Sequence, residues 1–290
     1  MSVCCEDDLY TMSEEYVREN NERGKSVINR FTIETDHFAH DIEPLYAQFL
    51  AQVDKIKEEW VTGKDHYRLH FIEKRELALH LLTQYFRMPQ IRDVIVDDFI
   101  RMERANIDMI KEIIAVQTGN KDFRKLEVGI KCEKPAVHAN LSYLDNETLM
   151  TYANAIANNI FVFWISKGSD FYTSDFPIVV SPHVENVRPM FMGLAQYGGE
   201  LTMPLSPSLT LSIYDRAYFK DKEDMDGCFV DANEKEIRRQ NFLRYMYGTQ
   251  HVFSYKNDFS LIDFVYNLEG KHPFWKPNHK TEIVSGLGKY

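Results

Sequence analysis

In the first half of the chain, apolar residues recur every three or four positions, which is the period of an amphipathic helix. This spacing predicts helices over residues 35–60, 67–87 and 91–116. Pro44 lies inside the first of them and predicts a kink or a restart there. Three helices with short connections are typical of an antiparallel bundle.

After about residue 146 the period changes. Short runs of β-branched and aromatic residues, bounded by Gly, Pro, Ser and Asp, are typical of strands. Helices are predicted between and after these runs, over residues 146–159, 233–247 and 261–268. The predicted strands cover residues 161–166, 171–174, 177–180, 201–203, 209–214 and 251–255.

Helices first and strands later indicate the α+β class rather than a doubly wound sheet. We therefore predict a helical N-terminal half of about three antiparallel helices, followed by a strand-rich half with a mixed or antiparallel sheet and flanking helices. The parts form one composite domain. They are a polar, loose lead-in (1–30), a helical bundle part (31–120), a strand-rich α+β part (121–270) and a tail (271–290).

The composition is that of a globular protein, with 44% hydrophobic and 27% charged residues among 290. A formal charge of −10 disfavours non-specific attraction to nucleic acid or to an anionic membrane. No apolar run reaches the length of a membrane span, and residues 1–10 lack the pattern of a signal peptide. The four cysteines form no C-x-x-C pair and are read as reduced thiols. We therefore expect a cytoplasmic protein.

Several motifs resemble a bacterial family, domain of unknown function 4238, over most of residues 5–257. The motifs are Phe86-Arg-Met-Pro-Gln-Ile-Arg92, Pro135-x-x-His138-Ala139, Phe171-Tyr-Thr-Ser-Asp-Phe-Pro-Ile178, Pro204-Leu-Ser-Pro207, and the Asn233-led helix running into His251-Val-Phe-Ser254. Members of that family typically open with a His-Tyr-Val-Pro-Gln-like segment ahead of the stretch at 6–10. This chain starts after that point, so we expect a shortened form. The resemblance implies no activity.

Asp175 is the first candidate for chemistry, because it follows strand residues in a Ser-Asp-x-Pro turn. Its carboxylate could act as a base, a metal ligand or a substrate acceptor, or it could simply bond backbone amides in an Asx turn. Ser174 beside it is a candidate for substrate binding. His138 could be the acid–base partner of Asp175, as in carboxylate–imidazole pairs. The alternative is a histidine bonded to backbone at a domain junction.

Two arginines flank Met88-Pro89. Arg87 lies in the last turn of a predicted helix, where the helix dipole favours a cation, and it is a candidate catalytic residue. Arg92 lies in the first turn of the next helix, where a cation is disfavoured, which suggests an anionic ligand or a salt bridge to Asp93 or Asp97. Asn233, at the start of another predicted helix, is a candidate for substrate binding.

Residue spacing bears on metal binding, and two basic stretches bear on nucleic acid binding. Glu34-x-x-His37 has the spacing used in di-iron bundles, and His66, His70 and Glu73 share a helix face, but only one Glu-x-x-His pair is present. No metal is therefore predicted, and the cofactor is left open. Two stretches could bind nucleic acid, one that mixes basic and aromatic residues on a predicted helix and one that is basic, although the net charge disfavours that use. They contain Arg238, Arg239, Arg244, Tyr245 and Tyr247, and Lys121, Arg124, Lys125, Lys131 and Lys134.

The usual Walker, G-x-G-x-x-G, G-x-S-x-G and H-E-x-x-H patterns are absent from the sequence. Two functions remain open. We favour a bacterial hydrolase or nuclease of unrecognised type, with its site in a cleft between the helical and strand-rich halves. Its catalytic residues would be Asp175, His138 and Arg87, and its substrate-binding residues Arg92, Ser174 and Asn233. The alternative is a non-catalytic protein-interaction or regulatory module.

Overall fold

A computed structural model of the chain describes residues 11–23, 28–33, 35, 43–64, 69–142, 146–185, 194–248, 251–256 and 258–269. The fold is α+β, with a helical N-terminal half ahead of a strand-rich half, as predicted. The chain divides into two compact units. Unit 1 comprises Met1–Ala47 and Thr83–Leu149, and unit 2 comprises Gln48–Leu82 and Met150–Tyr290.

A short helix, α1 (Glu14–Glu22), lies within the stretch that was expected to be a loose lead-in, which corrects that expectation. Ser13 caps it, because its Oγ accepts a hydrogen bond from the backbone N–H of Tyr16 at 3.2 Å. The same residue donates from its backbone N and its Oγ to the carboxylate of Glu133, at 2.6 and 2.8 Å. This long-range anchor compensates for the absence of buried residues on α1.

Helix α2 (Glu43–Val61) has Pro44 in its first turn, a position that proline tolerates. The predicted residues 36–42 of that helix lie outside the described residues. Helix α3 (Phe71–Arg87) follows. Within unit 2 the two helices pack together, with the rings of Phe49 and His80 5.5 Å apart. Their buried apolar side chains are Phe49, Val53, Ile56, Leu77, Ala78, Leu81 and Leu82.

Helix α4 (Pro89–Thr118) has 30 residues, with Pro89 in its first turn and Gly119 after its end. Gly119 has φ +70°, a left-handed conformation that glycine adopts without strain. The predicted apolar stripe is only partly buried, since Met102, Ile110 and Ile113 are exposed. The weakly patterned stretch that follows holds a 3-10 helix, Lys121–Lys125, and the start of α5 (Lys134–Ser142).

Helix α6 (Asn146–Ala157) leads into the strands. These are β1 (Ile160–Ile165), β2 (Thr173–Ser174), β3 (Val179–Pro182), β4 (Gly199–Ser206), β5 (Leu209–Tyr214), β6 (Phe229–Asp231) and β7 (Val252–Phe253). Helix α7 (Glu234–Tyr247) separates β6 from β7, and α8 (Ser260–Glu269) follows β7. Sequence reasoning missed β6 and the 3-10 helix Lys220–Met225.

The main sheet has the order β3-β4-β5-β1-β6, and β2 pairs with β7 in a separate two-stranded sheet. All pairs in the main sheet are antiparallel except β1 with β6. One face of β1, β4 and β5 is apolar and buried. Its residues are Phe161, Phe163, Ile165, Leu201, Met203, Leu209, Leu211 and Ile213.

A buried ion pair fixes α3 to the end of the sheet within unit 2. The ammonium of Lys74 donates to both oxygens of Asp226 at 2.6 and 2.7 Å and to the carbonyl of Asn159 at 3.0 Å. Asp226 also accepts from the backbone N–H of Phe161 at 3.0 Å and from Arg216 at 2.5 Å. Desolvation lowers the pKa of Lys74, and the hydrogen bond and charge of Asp226 oppose that shift. The attraction between the two charges thus offsets part of the cost of desolvating them.

Among the described helices, none combines the length and the apolar character that crossing a membrane requires.

Candidate functional site

The second face of β4 and β5, together with Ser181 of β3, carries polar side chains although it is buried. Side chains alternate between the two faces of a strand, so residues two apart share a face. The residues of this polar face are Ser181, Glu200, Thr202, Thr210, Ser212 and Tyr214, each at most 9% exposed. Helix α7 covers it and buries Gln240 and Arg244. A buried, polar boundary between helix and sheet is unusual, because buried polar groups are costly unless they are bonded.

Glu200 is the centre of this face and has no exposed surface. Both of its oxygens accept hydrogen bonds from Arg239, at 2.6 and 2.8 Å, and Oε2 also lies 2.8 Å from Nε2 of His183. Burial alone would raise the pKa of Glu200, but the hydrogen bond from His183 and the charge of Arg239 lower it to about 2. The carboxylate is therefore ionised in the interior.

His183 is held on three sides. Its backbone N–H donates to the carbonyl of Gly198 at 2.9 Å, and its own carbonyl accepts from the hydroxyl of Tyr218 at 2.9 Å. The edge of Phe219 meets its ring at a centroid distance of 4.9 Å. The side chain is 34% exposed, and Nδ1 has no hydrogen-bond partner among the described residues. A fixed, partly exposed imidazole on a buried carboxylate has the arrangement of a catalytic pair.

Arg239 links the helix to the sheet, because it also binds Glu236 one turn earlier on α7, at 2.6 and 3.0 Å. These two carboxylates raise the pKa of Arg239 in spite of its desolvation. Tyr214 lies opposite Glu200 in the β4–β5 register. Burial and the nearby charge of Glu200 raise the pKa of Tyr214, so its hydroxyl stays protonated.

Arg244 lies further along α7 and is 1% exposed. Its Nη2 donates to Oγ1 of Thr202 at 2.8 Å. Among the described residues, Nε and Nη1 have no hydrogen-bond partner. Burial lowers the pKa of Arg244, and the carboxylate of Glu200 opposes the shift.

The predicted Ser-Asp-x-Pro turn lies at the C-terminal end of α7. Oγ of Ser174 accepts from the backbone N–H of Phe176 at 3.1 Å and donates to its carbonyl at 2.9 Å. The backbone N–H of Asp175 donates to the carbonyl of His251 at 3.2 Å. A Cβ on Gly248 would lie 2.8 Å from the carbonyl of Arg244 and 3.4 Å from Oδ1 of Asp175. The turn therefore packs directly against the helix end, where only glycine fits.

Asn233 lies at the other end of α7. Its Oδ1 accepts from the backbone N–H of Glu236 at 2.9 Å, so the side chain caps the helix. A helix of 14 residues spans roughly 21 Å. The structure therefore does not bring Asn233 together with Ser174 and Asp175.

The other three predicted site residues belong to unit 1. His138 on α5 is fully buried, and burial together with the charge of Arg92 lowers its pKa to about 4. It is neutral at pH 7 and a weak base there. Arg92 forms an ion pair with Asp93 at 3.5 Å, the salt bridge that the sequence suggested as an alternative. Arg87 lies in the last turn of α3. Asp175, Ser174 and Asn233 lie in unit 2.

Basic side chains in both stretches form ion pairs with carboxylates. On α7, Arg238 pairs with Glu234, and Arg239 pairs with Glu200 and Glu236. In the other stretch, Arg124 pairs with Glu112, Lys125 with Asp122, and Lys131 with Glu15 and Glu19. These pairs weaken the interpretation as a nucleic acid surface.

Part of the metal spacing falls outside the described residues, namely Glu34, His37 and His66. Glu73 accepts a hydrogen bond from the backbone N–H of His70 at 2.8 Å. In the part of the chain that the structure describes, no three His, Cys, Asp or Glu side chains are grouped as metal ligands.

Sequence reasoning missed His183 and Glu200, and it assigned Arg239 and Arg244 to a different role. A signal was present in the strands. Glu200-x-Thr202 and Thr210-x-Ser212-x-Tyr214 place polar residues at alternate positions, with Leu201, Leu211 and Ile213 between them. Such alternation is typical of a strand whose second face is solvated. Here it marks a buried polar face.

The family model described as Protein of unknown function (DUF4238) matches residues 1–258. The chain belongs to this family. The membership confirms the resemblance carried by the 86–92 segment, the Ser-Asp-x-Pro turn and the other motifs. No curated protein and no solved structure matches the chain.

Proposed function

We propose that this chain is a hydrolase and that His183 is its general base. One observation carries the proposal, the 2.8 Å hydrogen bond between Nε2 of partly exposed His183 and fully buried Glu200. A carboxylate that accepts the Nε2 proton fixes the tautomer of the ring and leaves the lone pair of Nδ1 to accept a proton. A base in this state can activate water for hydrolysis.

The hydrogen bonds around His183 and Glu200 favour a catalytic role of the pair over that of an ordinary surface ion pair. Arg239 holds the carboxylate of Glu200 with two bonds, so the carboxylate cannot turn away from the ring. The backbone bonds of His183 fix the position of the ring itself. Fixed geometry lowers the cost of reaching the reactive arrangement.

The proposal keeps hydrolysis, the reaction class expected from the sequence, but assigns the general base to His183 instead of to His138 or Asp175. With a pKa of about 4, His138 accepts a proton poorly at neutral pH. His183 meets the expectation of a carboxylate–imidazole pair with a different carboxylate, Glu200 instead of Asp175. The free thiols Cys132 and Cys228 are in keeping with the expected bacterial cytoplasm, which belongs to the same proposal.

The test is a hydrolysis assay on three chromogenic esters: a phosphodiester, a phosphomonoester and a carboxylic ester of p-nitrophenol. The substitution His183→Asn is expected to lower kcat by about 10²- to 10⁴-fold, the usual contribution of a general base. Because the ring is partly exposed, the melting temperature should change by only a few degrees.

Glu185→Gln is the matched control, since Glu185 is exposed two residues further along the same segment. It should retain the wild-type rate. Wild-type protein that hydrolyses none of the three esters, or His183→Asn protein with an unchanged kcat, would show that the pair is structural.

A second candidate, a protein-interaction role, is favoured by the apolar side chains on α4. Met102, Met109, Ile113 and Val116 are each between 46% and 66% exposed. Their spacing of seven, four and three residues follows one face of the helix. We propose that the partner is a second copy of the chain. In an antiparallel pair of α4 helices centred on Met109, Met102 of one copy meets Val116 of the other, and Ala105 meets Ile113.

Charges along the same helix fit that pairing, because Asp108 and Lys111 of one copy lie near Lys111 and Asp108 of the other. Light scattering over a concentration series tests it. The wild type should form a dimer that Met109→Lys disrupts, whereas Arg101→Gln, an exposed change on the same helix, should not. A wild type that stays monomeric at high concentration would eliminate this candidate.

A further inference from the structure

The guanidinium of Arg244 is buried with most of its donors unused. A guanidinium carries five N–H groups, one on Nε and two on each terminal nitrogen. Thr202 takes one bond from Nη2. Within the described parts of the chain, Nε and Nη1 meet no acceptor, although Arg244 is 1% exposed. Three buried donors without acceptors cost more than a folded protein usually tolerates.

The nearby carboxylates are already engaged. Both oxygens of Glu200 bind Arg239, and one of them also binds His183. Glu236 accepts from Arg239 and from Nε2 of Gln240. Glu200 therefore acts on Arg244 through space and not by a hydrogen bond. The cation remains charged at neutral pH, because arginine does not deprotonate there.

Other buried polar atoms near Arg244 also lack a hydrogen-bond partner among the described residues. Gln240 lies one turn earlier on α7, and its Nε2 donates to Glu236 at 2.9 Å and to Ser212 at 3.3 Å, which fixes the amide orientation. Its Oε1 then has no described partner, and neither has Oγ1 of Thr210.

The strand register places these groups near one another. Ser212 lies opposite Thr202, so their Cβ atoms are roughly 5 Å apart, and Thr210 is two residues along the same face, roughly 7 Å away. Arg244 binds Thr202 while Gln240 binds Ser212. The unused donors and acceptors therefore lie around the paired positions Thr202 and Ser212.

We propose that Arg244, Gln240 and Thr210 form a binding site for a phosphate group. Phosphate oxygens accept from Nε and Nη1 of Arg244, and the hydroxyl of Thr210 adds a further bond. A protonated phosphate oxygen donates to Oε1 of Gln240, which a carboxylate ligand cannot do. A buried water would supply hydrogen bonds but no negative charge for the guanidinium.

As a substrate site this inference rests on the proposed hydrolase, and it makes the substrate a phosphate ester. As a phosphate site it is tested without turnover, so the two proposals fail separately. Loss of phosphate binding leaves a hydrolase of some other ester. Loss of the His183 effect leaves a phosphate-binding protein.

The experiment is thermal unfolding of the full chain in inorganic phosphate, with chloride and acetate at matched ionic strength as references. Samples are incubated to equilibrium, because the donors are enclosed. Phosphate should raise the melting temperature in a saturable way, while chloride and acetate should not. Arg244→Lys should weaken the apparent phosphate affinity at least tenfold, because lysine cannot present a planar set of donors.

Arg238→Lys is the matched control, since Arg238 is exposed on the same helix and pairs with Glu234. It should bind phosphate like the wild type. Thr210→Val keeps the shape of the side chain and removes only the hydroxyl, so it serves if Arg244→Lys does not fold. A severalfold weaker affinity is expected for it. The proposal is overturned if phosphate does not stabilise the wild type beyond chloride, if acetate stabilises it equally, or if the folded variants at 244 or 210 bind phosphate unchanged.

Discussion

Helix α4 exposes apolar side chains, whereas helix α7 buries polar ones. Among the described residues of the 30-residue α4, only Val96 and Ala115 are buried, and Met102, Met109, Ile113 and Val116 face outward. On the 14-residue α7, the buried residues are Ile237, Gln240, Asn241 and Arg244. The period of apolar residues shows that α4 is a helix. What places α7 is a set of hydrogen bonds and ion pairs to named partners, which depend on the strand register.

The buried titratable groups near the two helices also differ in charge. On the α7 side, Glu200 is paired and stays ionised. Beside α4, His138 has the cation Arg92 nearby and stays neutral. The pKa of each group differs from its ordinary value, in both cases downward, so each makes stability depend on pH.

Glu200→Gln should have the largest effect on the free energy of unfolding. It keeps the shape of the side chain but removes the buried negative charge that Arg239 and His183 bind, which should cost about 3–5 kcal/mol. Urea denaturation measures the change. Glu112→Gln on α4 is the control, because the bond of Glu112 to Arg124 is exposed, and the melting temperature of this variant should barely move. Equal stability of Glu200→Gln and wild type would show that the ion pairs of α7 do not hold it in place.

The next largest effect is expected from His138, which lies beside α4 and makes the free energy of unfolding depend on pH. The folded pKa of His138 is about 4, below its ordinary value of 6.5, so the unfolded chain binds the proton first as the pH falls. The contribution of neutral His138 to the free energy of unfolding is fully present above pH 6.5 and is lost as the pH falls toward 4. It amounts to about 3 kcal/mol.

Urea denaturation of His138→Gln at a series of pH values checks this. The variant should lose stability less steeply than wild type between pH 6.5 and 4, whereas His70→Gln, an exposed control, should follow the wild type. Parallel slopes for His138→Gln and wild type would assign the pH dependence to other groups.

Asn241→Ala should have an intermediate effect on α7. Its Oδ1 accepts from the backbone N–H of Tyr172 at 2.8 Å, and its Nδ2 donates to the carbonyl of Asp170 at 2.9 Å. Removing the amide leaves both buried backbone groups without partners and should cost about 1–3 kcal/mol. The paired change on α4 is Asn106→Ala, which removes one weak bond to Glu103 and should be nearly neutral in the same denaturation experiment. Similar costs at both positions would remove the contrast between the helices.

The smallest effect is expected from Met109→Gln on α4. Met109 is 57% exposed, so the free energy of unfolding of the monomer should change by less than about 0.5 kcal/mol. Denaturation at low protein concentration measures it. A larger loss would mean that the exposed face of α4 is covered in solution.

Local sequence predicted many elements because their signals are local. The predicted strand at 209–214 has the bounds of β5, and α7 begins one residue after the predicted start of that helix, Asn233. Turn formers and a change of period mark both. Helix α1 has no such apolar signal, and its anchor, Glu133, lies 120 residues away.

The candidate site could not be predicted in the same way. His183 and Glu200 are 17 residues apart and meet because Ser181 pairs with Glu200 in the β3–β4 register. That register is a tertiary property. Ser174 and Asp175 could be placed in a turn from sequence, and Asn233 at a helix start, but the distance between the two ends of α7 required the helix itself.

The ion pair between Lys74 and Asp226 has a consequence for the order in which the chain is made. The two residues are 152 positions apart. At synthesis rates of about 5–20 residues per second, Lys74 leaves the ribosome roughly 8–30 s before its partner exists. During that interval the nascent α3 has its apolar residues Leu77, Leu81 and Leu82 but lacks the carboxylate that binds Lys74. Unit 2 can close only after most of the chain is translated, so its first segment is the part of the nascent protein that a chaperone would be expected to shield.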